Sequence, residues 1–340
     1  MKAVAMSRFL RSVLTTLTLC LSLGASAQQS LIADLPALEK SIAAGALVWD
    51  VRSAEEYNKG HIPGAVNIGS VGDVFRDANR EDPPSAAAAS RLFGSAGMDI
   101  LKRDVITYST KGDPFAYYGA RMVEYYGGKH ALVFHGGIDD WNAAGKPLTA
   151  EAARLEPVTL ALTAEGRGSM NTKDVVDRVK AGKAQILDTR TAKEFTGEDI
   201  RAIRGGHVAG AVLIPYEHNW SDPDAGSKFA QKKVASRDGM SLKPQAELRA
   251  LYAKLDPEKE TVVYCQSGVR ASETAAILRD LGFKDVKVYE ESWLGYAGHL
   301  SAPAEQEVFV NVGALSGRLS SLQSRVKELE TELAKVKAAR

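Results

Sequence analysis

The stretch Thr261-Val262-Val263-Tyr264-Cys265-Gln266-Ser267-Gly268-Val269-Arg270-Ala271-Ser272 changes character in its middle. Thr261 to Tyr264 is a short β-branched and aromatic run of the kind found in a strand buried on both faces. From Ala271 to Leu281 the apolar positions recur at helical spacing, and Gly282 stands where a helix ends. Val286 to Tyr289 is a second short strand pattern. Strand, tight loop, helix and strand together make the repeating unit of a parallel sheet flanked by helices, so the fold class is α/β.

Moving outward, the landmarks around this stretch occur twice. Leu47-Val48-Trp49-Asp50-Val51-Arg52 ends in Asp-x-Arg and is followed by Gly60-His61-Ile62-Pro63-Gly64-Ala65-Val66. Ile186-Leu187-Asp188-Thr189-Arg190 is followed by Gly206-His207-Val208-Ala209-Gly210-Ala211-Val212. Val105-Ile106-Thr107-Tyr108-Ser109 then matches Thr261 to Cys265. Order is kept while the offset grows along the chain, which is the mark of a duplicated domain diverged by insertions. The boundary falls in Lys146–Gly168, where Pro147, Pro157 and Gly166 interrupt periodicity, giving domains at 31–148 and 166–300. Asp222–Lys243 is polar and reads as a surface excursion of the second copy.

Both ends differ from these domains. Lys2, Arg8 and Arg11, an apolar stretch from Val13 to Leu23, and Ala25-Ser26-Ala27 follow the order of a secretory signal peptide over residues 1–27. The apolar part is too short to span a bilayer, so a periplasmic or secreted protein is expected. At the other end, Leu315, Leu319, Leu322, Val326, Leu329, Leu333 and Val336 alternate in steps of four and three. With Leu319 as an a position, Arg325 faces Glu330 and Glu332 faces Lys337 as g-to-e′ pairs of opposite sign. Residues 314–340 therefore read as a coiled-coil helix that makes a homo-oligomer. A single amphipathic helix packed on its own domain is the alternative.

Composition narrows the function. The chain is 25% charged with a formal net charge of +1, without the basic excess that a nucleic-acid partner calls for. Cys20 and Cys265 are its two cysteines, and cleavage after Ala27 leaves Cys265 as a lone thiol in an oxidising compartment. At the carboxyl end of a parallel strand, that thiol sits where open α/β sheets form clefts. Gly268 permits the turn, the backbone N–H groups and the helix dipole point inward, and Arg270 adds a permanent cation. All three favour a thiolate at Cys265, a nucleophile, and would cradle an anionic donor. A buried inert thiol is the alternative.

Asp-x-Arg, Gly-His-(Ile/Val)-x-Gly-Ala-Val, Cys-x-x-Gly-x-Arg and the Tyr289–Trp293 stretch together resemble the rhodanese family, over roughly residues 35 to 300. Two copies with the cysteine loop in the second resemble the tandem thiosulfate and 3-mercaptopyruvate sulfurtransferases. The resemblance implies two rhodanese-like domains, each a parallel sheet flanked by helices. It implies that Cys265 takes sulfane sulfur from thiosulfate or 3-mercaptopyruvate as a persulfide and passes it to cyanide or a thiol. No metal or organic cofactor is implied. Cys265 and Arg270 become the catalytic residues, and Gln266, Ser267, Gly268 and Val269 the substrate-binding loop. Asp188, Arg190 and His207 match framework positions. Tandem members carry a substrate-contacting basic residue after the Asp-x-Arg strand. Glu194 occupies that register here, a departure, and among Lys193, Arg201 and Arg204 the contact is assigned to Arg204.

The first copy has Ser109 at the nucleophile position, and a hydroxyl cannot form a persulfide. No triad partners accompany it, so this copy is expected to be catalytically silent. His61 and His135 lack metal-ligand spacing and read as structural. Two other functions compete. A cysteine phosphatase needs Cys-x5-Arg, and Cys265 to Arg270 is Cys-x4-Arg, one residue short for a phosphate cradle. A sulfur carrier or binding module, passing sulfur to a protein acceptor, would keep the same loop.

Overall fold

A computed structural model describes residues 30–338 apart from Glu165. Residues 1–27, read as a signal peptide, lie outside the described residues. The strands Thr261–Tyr264 and Val286–Tyr289 form with the predicted bounds. The helix between them starts two residues earlier than its pattern, at Val269, and runs to Asp280.

In the first domain β1 (Ile32–Ala33), β2 (Leu47–Asp50), β3 (Val66–Asn67), β4 (Val105–Tyr108) and β5 (Ala131–Phe134) form a parallel sheet in the order β1-β5-β4-β2-β3. The second domain repeats this with β6 (Ser169–Met170), β7 (Gln185–Asp188), β9 (Val212–Leu213), β10 (Thr261–Tyr264) and β11 (Val286–Tyr289), in the order β6-β11-β10-β7-β9. β8 (Arg204–Val208) and β12 (Ala304–Phe309) pair as an antiparallel ribbon beside the second sheet. The central strands β2, β4 and β10 are buried throughout because helices cover both faces, which is why their sequences run apolar without alternation.

The duplicated motifs have one physical role in both copies. Arg52 pairs with Asp50 at 2.6 Å and donates to the Gly60 carbonyl at 2.9 Å. Arg190 pairs with Asp188 at 2.7 Å and donates to the Gly206 carbonyl at 2.7 Å. The hydroxyls of Tyr108 and Tyr264 each accept a backbone N–H of the preceding Gly-His segment, from Ile62 and Val208, at 3.1 Å. His61 stacks on Tyr57 and His207 on Phe195, each with a ring nitrogen on a backbone carbonyl. Both histidines are structural, as their sequence context suggests.

The two domains meet through helix Phe115–Tyr125 against helix Val269–Asp280. Ala276 packs on Ala116, Tyr117, Ala120 and Val133. Arg121 pairs with Glu290 at 2.8 Å, with both side chains buried, and Arg279 pairs with Glu124 at 2.9 Å. The excursion Asp222–Lys243 is more than surface. It carries helix Ala225–Ala230, and near its end Met240 turns inward with Trp220 and Ala225, an apolar side chain escaping water. The Met240 carbonyl bonds to His135 of the first domain at 2.8 Å.

Beyond β12 a single helix, Val312–Ala338, has no buried residue. Its heptad residues, Leu315 to Val336, are 48–64% exposed, so the seam does not pack on this chain's own domains. No helix among the described residues is long and apolar enough to cross a membrane.

Candidate active site

Cys265 is the first residue beyond β10, and its side chain lies 1% exposed at the base of the loop. Gly268 has φ +84°, and a Cβ there would stand 3.0 Å from the Glu290 carbonyl, so both the turn and the close approach require glycine. The loop is held from behind by Ser292. Its hydroxyl accepts from the N–H of Cys265 at 3.2 Å and of Gly268 at 3.0 Å, and donates to the Tyr289 carbonyl at 2.7 Å. Ser292 reaches this position with φ +48°, an unfavourable backbone for a residue with a side chain. The Trp293 N–H closes the loop on the Cys265 carbonyl at 3.0 Å.

The predicted residues divide into those that reach the site and those that do not. Arg270 forks onto Glu194, Nη1 to Oε2 at 2.7 Å and Nη2 to Oε1 at 2.8 Å. Burial alone would lower Arg270, but the Glu194 hydrogen bonds and the nearby charge of Cys265 raise it above its ordinary value. Burial likewise opposes ionisation of Glu194, and is outweighed by Arg270 and the Thr191 N–H, which hold its carboxyl down at about 2. Ser267 is at the interdomain seam, its hydroxyl accepting from Arg76 of the first domain. Gln266 is buried, its amide donating to the Arg201 carbonyl at 2.8 Å, while its Oε1 has no partner among the described residues.

Val269 and Arg204 are corrected. Val269 points into the apolar cluster of Val71, Phe75 and Tyr118 in the first domain, because its apolar side chain is better buried there than in a cleft. Arg204 is wholly buried in β8. Its guanidinium faces Glu307 and the carbonyls of Tyr296 and His299, and lies over the Trp293 ring. Those groups take both Nη atoms, and the Nε is sealed away from solvent and from any substrate. Glu194, Ser292 and Arg76 were missed as site residues. Glu194 carried a signal, since an acid replaced a base in the expected register. Arg76 carried none, because only tertiary packing brings it near Cys265.

The matching loop of the first domain is closed. The Ser109 hydroxyl donates to Asp113, and Lys111 pairs with Asp140 and Asp238. Met240 presses on Gly112, where an added Cβ would lie 2.6 Å from its own. Gly137 stands where the second domain has Ser292, with the same left-handed backbone and no hydroxyl.

A family profile, "Rhodanese-like domain", matches residues 34–144 and 171–299. A Mycolicibacterium smegmatis protein described as "Putative thiosulfate sulfurtransferase" is 33% identical, covering 73% of this chain and 87% of its own. The "Sulfur carrier protein TtuD" of Thermus thermophilus is 30% identical, covering 73% and 86%. Among solved structures, 3-mercaptopyruvate sulfurtransferase from Leishmania major superposes with a TM-score of 0.65 at 21% identity, covering 80% of this chain and 76% of its own.

The buried Glu194–Arg270 fork has a stability consequence. A carboxyl held below its ordinary value stabilises the fold above about pH 4.5, and this contribution is lost as pH falls toward 2. Glu194→Gln should cost on the order of 3 kcal/mol at pH 7 by leaving Arg270 buried without its counter-charge. In urea unfolding, wild type and variant should converge as pH is lowered. An equal gap at pH 7 and pH 3 would contradict this linkage.

Proposed function

The chain belongs to the rhodanese family of sulfurtransferases, with two rhodanese-like domains in tandem, and on that premise we propose that Cys265 carries the transferred sulfur as a persulfide. The thiolate attacks the outer sulfur of thiosulfate. A new S–S bond forms, the donor's S–S bond breaks, and sulfite leaves with the bonding electron pair. Cyanide or a thiolate then takes the terminal sulfur and returns Cys265 to the thiolate, splitting one transfer into two displacements. The observation that carries this reading is the loop itself. Cys265 directly follows a central strand, two of the loop's N–H groups are anchored by Ser292, and Arg270 stands in the first turn of the helix that the loop enters. 3-Mercaptopyruvate is the alternative donor.

The fork of Arg270 onto Glu194 argues against a phosphatase, because the guanidinium that would clamp a phosphate is already taken by a carboxylate. The likeness to a sulfur carrier protein favours a second reading, in which the persulfide moves to a protein acceptor instead of a small one. We read the first domain as catalytically silent, since its Ser109 is bonded to Asp113 and Met240 covers the loop.

Intact mass separates these readings. Incubation with thiosulfate or 3-mercaptopyruvate should add one sulfur, ~32 Da, to the wild type and nothing to Cys265→Ala. Repeated thiocyanate release on adding cyanide marks the enzyme. A persulfide that leaves only with a protein acceptor marks the carrier, and no mass gain with either donor defeats small-donor transfer.

The exposed heptad seam of helix Val312–Ala338, with its g-to-e′ pairs of opposite sign, fits a second copy of this chain. Deleting residues 315–340 should lower the mass seen by light scattering and leave persulfide formation intact; an unchanged mass would refute the coiled coil. The order of features in residues 1–27 supports export. N-terminal sequencing of the chain from a bacterial periplasm should begin at Gln28, whereas an intact Met1 in the cytoplasm would count against export.

A further inference from the structure

Arg76 follows Phe75, whose wholly buried ring packs between Trp49 and Phe93, so the first domain fixes where this arginine begins. The guanidinium lies 5.9 Å from the ring centroids of both Phe115 and Tyr118. Its Nη2 donates across the seam to the Ser267 hydroxyl, two residues from Cys265, and also to Glu81. Burial lowers Arg76 below its ordinary value, with Tyr118 and then Cys265 acting against that. Its Nε is buried and has no partner among the described residues.

The counter-charge is more exposed than most, as is Glu307 opposite Arg204. Arg52, Arg121, Arg190 and Arg270 are each matched by a carboxylate no more than 8% exposed. Glu81 is 40% exposed and has φ +60°, the left-handed backbone that a non-glycine residue adopts unwillingly. It sits on a short surface turn closed by Glu81 N–H to Asp77 and Asp77 N–H to Asp82. Arg76 is thus a fixed, largely buried cation at the active loop, and its partner is the more exposed member of the pair, placed to turn out to solvent when another anion takes its place. The fork of Arg270 onto Glu194 leaves Arg76 as the better placed cation for an incoming anion.

We propose that Arg76 of the first domain, with the Ser267 hydroxyl, binds the anionic end of the sulfur donor, and that Glu81 holds this place until the donor displaces it. The class of ligand is a small sulfur donor with an anionic end, either a sulfonate bonded directly to the sulfur that Cys265 attacks or a carboxylate carried elsewhere on the same molecule. Ser267 accepts from Arg76 and has its own proton to give to such a group. When the donor's S–S bond breaks, the charge gained by the departing sulfite falls beside Arg76. The silent domain then has a definite part in the reaction, because the donor site is incomplete without it. This inference rests on the persulfide reading above, and its test is arranged to fail separately.

Thiosulfate binding to the full chain carrying Cys265→Ala, measured by isothermal titration, reads the site without chemistry. Adding Arg76→Gln should weaken binding roughly tenfold or more, and Arg76→Lys should recover part of it. Glu81→Gln should tighten binding, an effect that general loss of structure would not produce, and it decides the question if Arg76→Gln does not fold. No thiosulfate binding by the parent, unchanged affinity in Arg76→Gln, or weaker or unchanged affinity in Glu81→Gln would overturn the proposal. Arg76-dependent binding without a mass gain at wild-type Cys265 would uphold this site and sink the transfer reading. A mass gain with Arg76-independent binding would do the reverse.

Discussion

The buried ion pair between Arg121 and Glu290 is the constraint on which the arrangement of the molecule depends. Both charges have been taken out of water; the other domain supplies the partner of Glu290, while Arg121 also has Glu124 of its own helix at 3.0 Å. Separating the domains would leave Glu290 without its cation and Arg121 with Glu124 alone, so the pair acts against any other docking of helix Phe115–Tyr125 on helix Val269–Asp280. Glu290 also touches the active loop, since its carbonyl leaves room at Gly268 for a glycine alone. The residue that joins the domains through its side chain therefore also crowds, through its backbone, the turn beside Cys265.

Duplication explains what the two copies share and where they part. Both copies keep the Asp–Arg–Gly carbonyl clamp and the tyrosine hydroxyl that receives an N–H of the preceding Gly-His segment. These features hold a strand end, and a strand end is needed whatever chemistry follows. Above that shared base the copies part. The second has Cys265 over a serine that gathers two loop N–H groups, while the first has Ser109 over Gly137, where no hydroxyl exists to gather them. The first copy keeps the scaffold and turns its surface toward its partner, through Arg76 on one side and the Gly112 loop under Met240 on the other.

Electrostatics at the loop follows from pairing. Arg270 was legible in the sequence as a cation beside the thiol, but its fork onto Glu194 makes it first a brace between the active helix and the turn after β7. Its charge is matched locally, by a carboxylate that is itself buried. Glu194 was visible as an acid in a place where a base was expected. Its meaning became clear only when the guanidinium opposite it was seen.

Much of the fold was legible in the sequence, because it rests on local regularities. The apolar runs of β10 and β11, the helix after Cys265, the glycine at position 268 and the duplicated Asp-x-Arg and Gly-His landmarks are periodicities and short spacings that a chain carries in one dimension. The heptad seam of the final helix was equally plain, and its exposure along the whole length agrees with a helix whose apolar stripe faces away from its own domains. Arg204, Val269 and Arg76 were decided by tertiary structure alone. An arginine reads alike whether it is sealed under Trp293 or set against an active loop, and a valine reads alike in a cleft or in a neighbouring core. The difference lies in which groups from distant parts of the chain share a dry space with it, and no spacing along the sequence encodes that.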